Sequence, residues 1–460
     1  MTRRTFLGAS ATALSLAAQP ARRERILIIG GGLAGLCAAF ELQDRYDVTV
    51  LEAQRHPGGR VRTLREAFPP GLYCEAGAEG IPSTHDLTLH YAKQFGLPLA
   101  PMSPPGMRSF YYLKGQRIFS ADPEKAWPFD LTPDERSIGV AGLRKKYLDE
   151  PVQRALAAGF KNDPLRAMAE WDQYTPGEWF RKQGASRAAS ELLSLGFGAD
   201  FGSAASFLLH RVSFVGATGT QRIEGGNDLL PREFAKRLRI EYGSPVVSVV
   251  QNEATVSVTK RSHRGTETVT ADRVICALPC PAIGAIFADA RLSGAKRDAI
   301  RRQNYSHCAK VFLQSRTRFW LANGLSGGVT TDLPIERLAP DPGTAAGDRG
   351  ALAAYPIGVY TSELEQKSED DRVHAAFTQA RRIFPECAEQ FEGGVSKCWG
   401  LDPWQKGAFA LHTPGQIGYI EVLAKPEGRI HFAGEHTSVW TGWMQGALES
   451  ARRVVREIGA

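Results

Sequence analysis

The chain has 460 residues, enough for two or three domains with a large core, and its 43% apolar and 23% charged residues are ordinary for a globular protein. Its 47 Gly and 27 Pro exclude collagen-like and low-complexity classes, and a net charge of +7 without a basic tail argues against a dedicated nucleic-acid binder. Seven scattered Cys without a CxxC pair disfavour a disulfide scaffold or structural zinc site, and no apolar run reaches the ~18 residues of a membrane span.

In chain order, Arg3-Arg4 before Phe6-Leu7, followed by an uncharged small-residue run to about Ala18, has the form of an export signal. The paired arginines resemble the twin-arginine type, with cleavage after Ala17 or Ala21. Arg25–Ile29 reads as a buried strand and leads into Gly30-Gly31-Gly32-Leu33-Ala34-Gly35, then a helix to about Arg45. A second strand, Val48–Leu51, ends at Glu52 and Ala53. Strand, GxGxxG turn, helix, strand and acid in this order predict a dinucleotide site. Gly30 makes the turn, Gly32 lets the backbone approach a pyrophosphate, Gly35 permits close helix–strand packing, and Glu52 accepts from ribose hydroxyls. Gly58-Gly59-Arg60 supplies a second turn and a guanidinium for the same dianion. Arg62 is either a further contact or a solvated charge.

An amphipathic run to Phe95 closes this segment, and aromatic-rich helical stretches follow to about residue 215. There Trp171, Tyr174, Trp179 and Phe180 read as core or cavity wall. Gly225-Gly226-Asn227-Asp228 opens a helix to Leu238. Strands are predicted at Ser244–Val249, 254–259, 267–270 and Ala271–Pro279, with a turn at His263-Arg264-Gly265. The glycine-rich stretch 340–350 reads as a surface loop.

The glycine turns, residues 222–231 and 305–320, and the terminal segment Gly434-Glu435 to Ser450 together closely resemble the flavin-containing amine oxidases: monoamine, polyamine and L-amino-acid oxidases. The resemblance implies an α/β, Rossmann-like FAD-binding domain of the glutathione-reductase-related kind, with an interleaved α+β substrate domain. The boundaries it suggests are an export signal at 1–21, FAD-domain parts at 22–102, 216–320 and 399–460, and substrate-domain parts at 103–215 and 321–398.

It also implies roles. Leu33, Ala34, Ala53, Gly59, Arg60, Gly434, Glu435, Gly442 and Met444 join the FAD site, and Val246 or Val247 meets the adenine through its backbone. Trp443 and Phe409 form the two walls of an aromatic cage before the flavin, or Phe409 is simply core. Lys310 matches the lysine that holds a water against flavin N5. Ala408 stands where monoamine oxidases carry the cysteine that bonds to the flavin, so FAD is expected to be non-covalent.

The implied reaction takes a hydride equivalent from the carbon beside an amine nitrogen, giving an imine and, with molecular oxygen, hydrogen peroxide. A bare amine and an L-amino acid both remain open as substrate. Many amino-acid oxidases clamp the carboxylate with an arginine where this chain has Gly80, so Arg108 and Arg211 are candidate substitutes. Glu79 would repel a carboxylate, attract an amine, or be solvated. A dehydrogenase with another electron acceptor and an FAD protein without catalysis are the other readings. Expected partners are a small-molecule substrate and oxygen, with no nucleic acid and no membrane span; a homodimer is a candidate assembly, in the periplasm or secreted.

Overall fold

The computed structural model describes residues 22–459 except 103–104, 121, 123–126, 161–162, 196–201, 264, 342 and 345–346. The export-signal reading at 1–21 therefore lies outside the described residues, as does Arg264 of the predicted turn.

Five parallel strands form the first sheet, in the order Ile240–Glu241, Asp47–Leu51, Arg25–Ile29, Arg273–Cys276, Ile430–Phe432. Its strands read as near-continuous apolar runs because both faces are covered. The helices Leu33–Leu42 and Met444–Gly459 pack together in a core that shields one face. A three-stranded antiparallel sheet, Val246–Gln251, Val256–Ser262 and Gly265–Ala271, joins a second core with Ile283, Phe287 and Phe432. These elements come from three separated stretches of chain, as the two glycine turns and the terminal segment require.

A seven-stranded mixed sheet forms the second body. Its order is Phe391–Cys398, Ala309–Ser315, Gly350–Ala354, Arg337–Asp341, Leu325–Thr331, Arg108–Leu113, Gln116–Ile118. Two sequence expectations change here. Ala309–Ser315 was expected in the FAD block 216–320, yet it pairs along its length with Gly350–Ala354 and Phe391–Cys398. The switch between bodies thus falls before residue 309, because a fully buried apolar strand reads alike in either sheet. The stretch 340–350 is not wholly a loop: Asp341 pairs with Ala351, Gly343–Thr344 pairs with Leu72 and Tyr73, and Gly350 is buried in a strand.

Trp171, Trp179 and Phe180 are 5% exposed or less and belong to the helical core of residues 127–212, where Tyr174 packs against them. They belong to this core and do not line the main cavity, although Trp171 and Trp179 also edge a separate pocket of about 350 Å³. All seven cysteines are buried, and none forms a disulfide among the described residues. Among the described residues no helix is long and apolar enough to cross a membrane.

Candidate active site

One cavity of about 960 Å³ runs from the first glycine turn to the seven-stranded sheet. At its first end Gly30 has φ 107°, a conformation that strains side chains, and its N–H donates to Leu51 O at 2.9 Å. A Cβ on Gly35 would lie 2.1 Å from Gly30 O, so only glycine lets this helix sit against the turn. A Cβ on Gly32 would meet nothing within 4 Å: the space over it is open. The helix Leu33–Leu42 starts there with no side-chain cap and no acid in its first turn, leaving its N–H groups for an anion. Glu52 closes this end, accepting from Gly31 N at 2.6 Å and Gln54 N at 2.7 Å. Burial raises its pKa against the pull of those backbone donors.

The second glycine turn lies beside the first: Gly58 N donates to Gly31 O at 2.9 Å. Next to it, the Arg60 guanidinium donates to Glu435 Oε1 at 2.7 Å and to Ala408 O at 3.0 Å. Glu435 also accepts from Ala410 N and Gly442 N. Burial opposes its ionisation, but Arg60 and these donors hold its pKa below the ordinary carboxylate value. Three remote segments are thus clamped around one spot on the cavity wall.

At the other end Lys310, 3% exposed, donates to Glu75 O, Gly77 O and Glu79 Oε2 at 2.8, 3.1 and 2.8 Å. All three ammonium donors are directed at protein oxygens. Glu79 is therefore the partner of Lys310 rather than a solvated charge; burial opposes its ionisation, but the lysine keeps its pKa low. Tyr355 lies under both Lys310 and Arg337, whose cationic atoms are 5.3 and 4.6 Å from its ring centre. Trp443 stacks on His210 at 4.9 Å and meets His85 and Phe214 edge-on. Phe409 packs against the adjoining backbone, since a Cβ on Gly442 would meet its ring at 3.5 Å. Burial and the nearby Arg337 push the His210 pKa down to about 4, so its ring is neutral.

Every expected site residue lines this cavity except Gly35 and Val247. Gly35 acts from behind the turn, through packing. Val247 is skipped in the strand register, which jumps from Val246 to Ser248, while Val246 lines the cavity. The candidate carboxylate clamps do not hold. Arg108 is exposed and stacked on Phe119, and Arg211 pairs with Asp149; neither lines the cavity. Sequence reasoning missed His210, Phe214, Tyr355 and Arg337, which the fold brings into the lining. They carry no motif; the one usable signal was an aromatic and a cation in otherwise apolar strands or helices.

The open backbone over Gly32, the uncapped helix and the acceptor Glu52 fit a nucleotide diphosphate, and the apolar remainder fits a flat ring system. Fold and site define a flavin-dependent oxidoreductase. Residues 33–459 match the family described as flavin containing amine oxidoreductase, and the chain belongs to it. It is 30% identical to an L-amino-acid oxidase of Siganus canaliculatus over 94% of this chain and 85% of that one. With an L-amino-acid oxidase of Vipera ammodytes ammodytes the identity is 28%, over 95% and 92% of the chains. The fold resembles that of putrescine oxidase bound to putrescine (TM-score 0.81, 22% identity, 95% and 98% covered). It also resembles cyclohexylamine oxidase from Brevibacterium oxydans IH-35A (TM-score 0.79, 22% identity, 95% and 100% covered).

Proposed function

We propose that this enzyme is an oxidase with non-covalent FAD, acting on the C–N bond of an amine or amino acid whose body is apolar or aromatic. The observation that carries this is the single cavity joining a nucleotide cradle to a wall built of Lys310, Phe409 and Trp443. Gly32, the Leu33–Leu42 helix N-terminus, Glu52 and Val246 would hold the dinucleotide, with Arg60 beside the phosphates. FAD bound there would supply a two-electron acceptor for the substrate's hydride equivalent, its electrons then reducing molecular oxygen to hydrogen peroxide.

The protein's own part is orientation and desolvation. Trp443 and Phe409 hold the substrate body and shed water. Lys310 keeps a positive charge at the cavity wall, where it stabilises negative charge developing on oxygen. For it to hold a water as well, Glu79 or one carbonyl must yield a donor. Ala408 offers no thiol for a covalent link. The seven-stranded sheet and the helices packed on it serve as the substrate lobe, interleaved in sequence with the nucleotide-binding body.

The test is a purified yellow protein assayed for peroxide with paired amines and amino acids. Flavin released into the supernatant on acid precipitation supports non-covalent binding. Substrate that bleaches the flavin anaerobically, with no recovery in air, would replace oxidase by dehydrogenase. The two substrate forms have different precedents: the relatives by sequence are named for amino acids, the neighbours by fold for bare amines. The Arg3-Arg4 segment supports twin-arginine export to the periplasm, tested by whether Arg3→Lys with Arg4→Lys strands the folded protein in the cytoplasm.

A further inference from the structure

Among the described residues three arginines line the cavity, and two are engaged: Arg60 with Glu435, and Arg144 with the Tyr111 hydroxyl. Arg337 is different. Among the described residues its buried Nε has no hydrogen-bond partner and its guanidinium makes no ion pair. A guanidinium left so is costly unless an anion arrives to pair with it.

Its placement is specified by the backbone. Arg337 opens a strand directly after Glu336, which adopts φ 53°, a left-handed conformation that costs a non-glycine residue energy. Its carbonyl accepts from Tyr355 N at 3.0 Å, and its guanidinium lies over the Tyr355 ring. None of the charges facing it makes a direct ion pair with it among the described residues. Glu79 senses Arg337 but is ion-paired with Lys310 at 2.8 Å. Glu336 accepts from Ile357 N, and burial raises its pKa to about 7. His210, which also senses Arg337, is neutral and stacks on Trp443. The guanidinium therefore acts on groups at both the Lys310 side and the Trp443 side of the substrate end. Gly80 lines the same cavity, but a Cβ there would meet Thr220 Cγ2 at 2.8 Å, so no larger side chain fits in its place unless Thr220 moves.

We propose that Arg337 binds the carboxylate of an α-amino-acid substrate and sets this site's preference for amino acids over the corresponding amines. A planar fork of N–H donors matches a carboxylate, and the Tyr355 ring, 4.6 Å from the guanidinium carbon, helps hold that fork in place. This rests on the oxidase reading above and narrows it to one substrate class, with an apolar or aromatic side chain against Trp443 and Phe409.

The experiment uses FAD-loaded wild type, Arg337→Met and Arg337→Lys. Each is assayed for peroxide with L-phenylalanine and with 2-phenylethylamine. Each is also titrated with 3-phenylpropanoate, which keeps the carboxylate and lacks the amine, following the flavin spectrum. Wild type is expected to prefer phenylalanine. In Arg337→Met the ratio of kcat/KM values, amino acid over amine, falls by about 100-fold and the Kd for 3-phenylpropanoate rises similarly, with partial recovery in Arg337→Lys. Wild-type ratio and wild-type Kd in Arg337→Met would overturn the proposal; so would a wild type that oxidises the amine but neither oxidises the amino acid nor binds the carboxylate. If Arg337→Met fails to retain FAD, Arg337→Lys decides by the same two readouts. If no substrate reduces the wild-type flavin, the oxidase reading fails, and the 3-phenylpropanoate titration still decides the role of Arg337.

Discussion

Arg60 and Glu435 meet at 2.7 Å across 375 positions of sequence, and the same carboxylate takes the backbone N–H groups of Ala410 and Gly442. This ion pair locks the second glycine turn to the segment that carries Trp443. Removing one member leaves the other buried without its counter-charge. Glu435→Ala is expected to cost about 3 kcal/mol of stability. Thermal unfolding of the apoprotein, alongside flavin content after purification, checks it.

The two glycines of the first turn separate packing from binding. Gly35→Ala drives a Cβ to 2.1 Å from Gly30 O and is expected to prevent soluble expression or lower the Tm sharply. Gly32→Ala meets nothing within 4 Å and has φ −75°, which alanine adopts freely. It should fold with wild-type apoprotein stability yet bind FAD weakly. Circular dichroism melts and FAD titration on both variants distinguish the two effects.

Lys310 and Glu79 form a buried pair at 2.8 Å beside the proposed site of oxygen chemistry. Lys310→Met is expected to slow flavin reoxidation by about 100-fold, and to destabilise the fold by leaving Glu79 unpaired. Adding Glu79→Gln should restore stability but not reoxidation. Stopped-flow mixing of the reduced enzymes with oxygen, with melts of both variants, measures this.

His85, His412 and His436 are almost wholly buried, and burial lowers each pKa from 6.5 to about 4. Between these values the unfolded chain takes up protons that the folded chain refuses. Their contribution is thus full above pH 6.5 and is lost as pH falls toward 4, by about 1.4 kcal/mol per pH unit for each ring. His412, whose two ring nitrogens have no hydrogen-bond partner among the described residues, gives the test. His412→Leu should flatten the acid limb of stability against pH, measured by denaturant unfolding from pH 7 to 4.

The nucleotide end was legible because backbone geometry there dictates residue type. Gly30 must turn, Gly35 must touch, and Glu52 must end a strand, so composition and spacing expose the site. The substrate end was only partly legible. Lys310, Phe409 and Trp443 stand in recognisable surroundings, whereas Arg337, Tyr355 and His210 are gathered by the seven-stranded sheet and one helix with no local pattern to announce them. Arg108 and Arg211 were reasonable by position in the chain, but stacking and an ion pair on the outside claim both. The boundary near residue 309 was lost for a related reason: Val311, Phe312 and Leu313 are equally suited to either sheet.

The cradle's last wall is made by the final thirty or so residues, including the parallel strand Ile430–Phe432 and the helix that follows. Until that stretch has docked, Arg60 has no counter-ion and the sheet has an open edge beside Arg273–Cys276. The nucleotide cradle is accordingly complete only after a long-range closure of the chain, since residues 29–60 line its first walls and residues 434–447 its last.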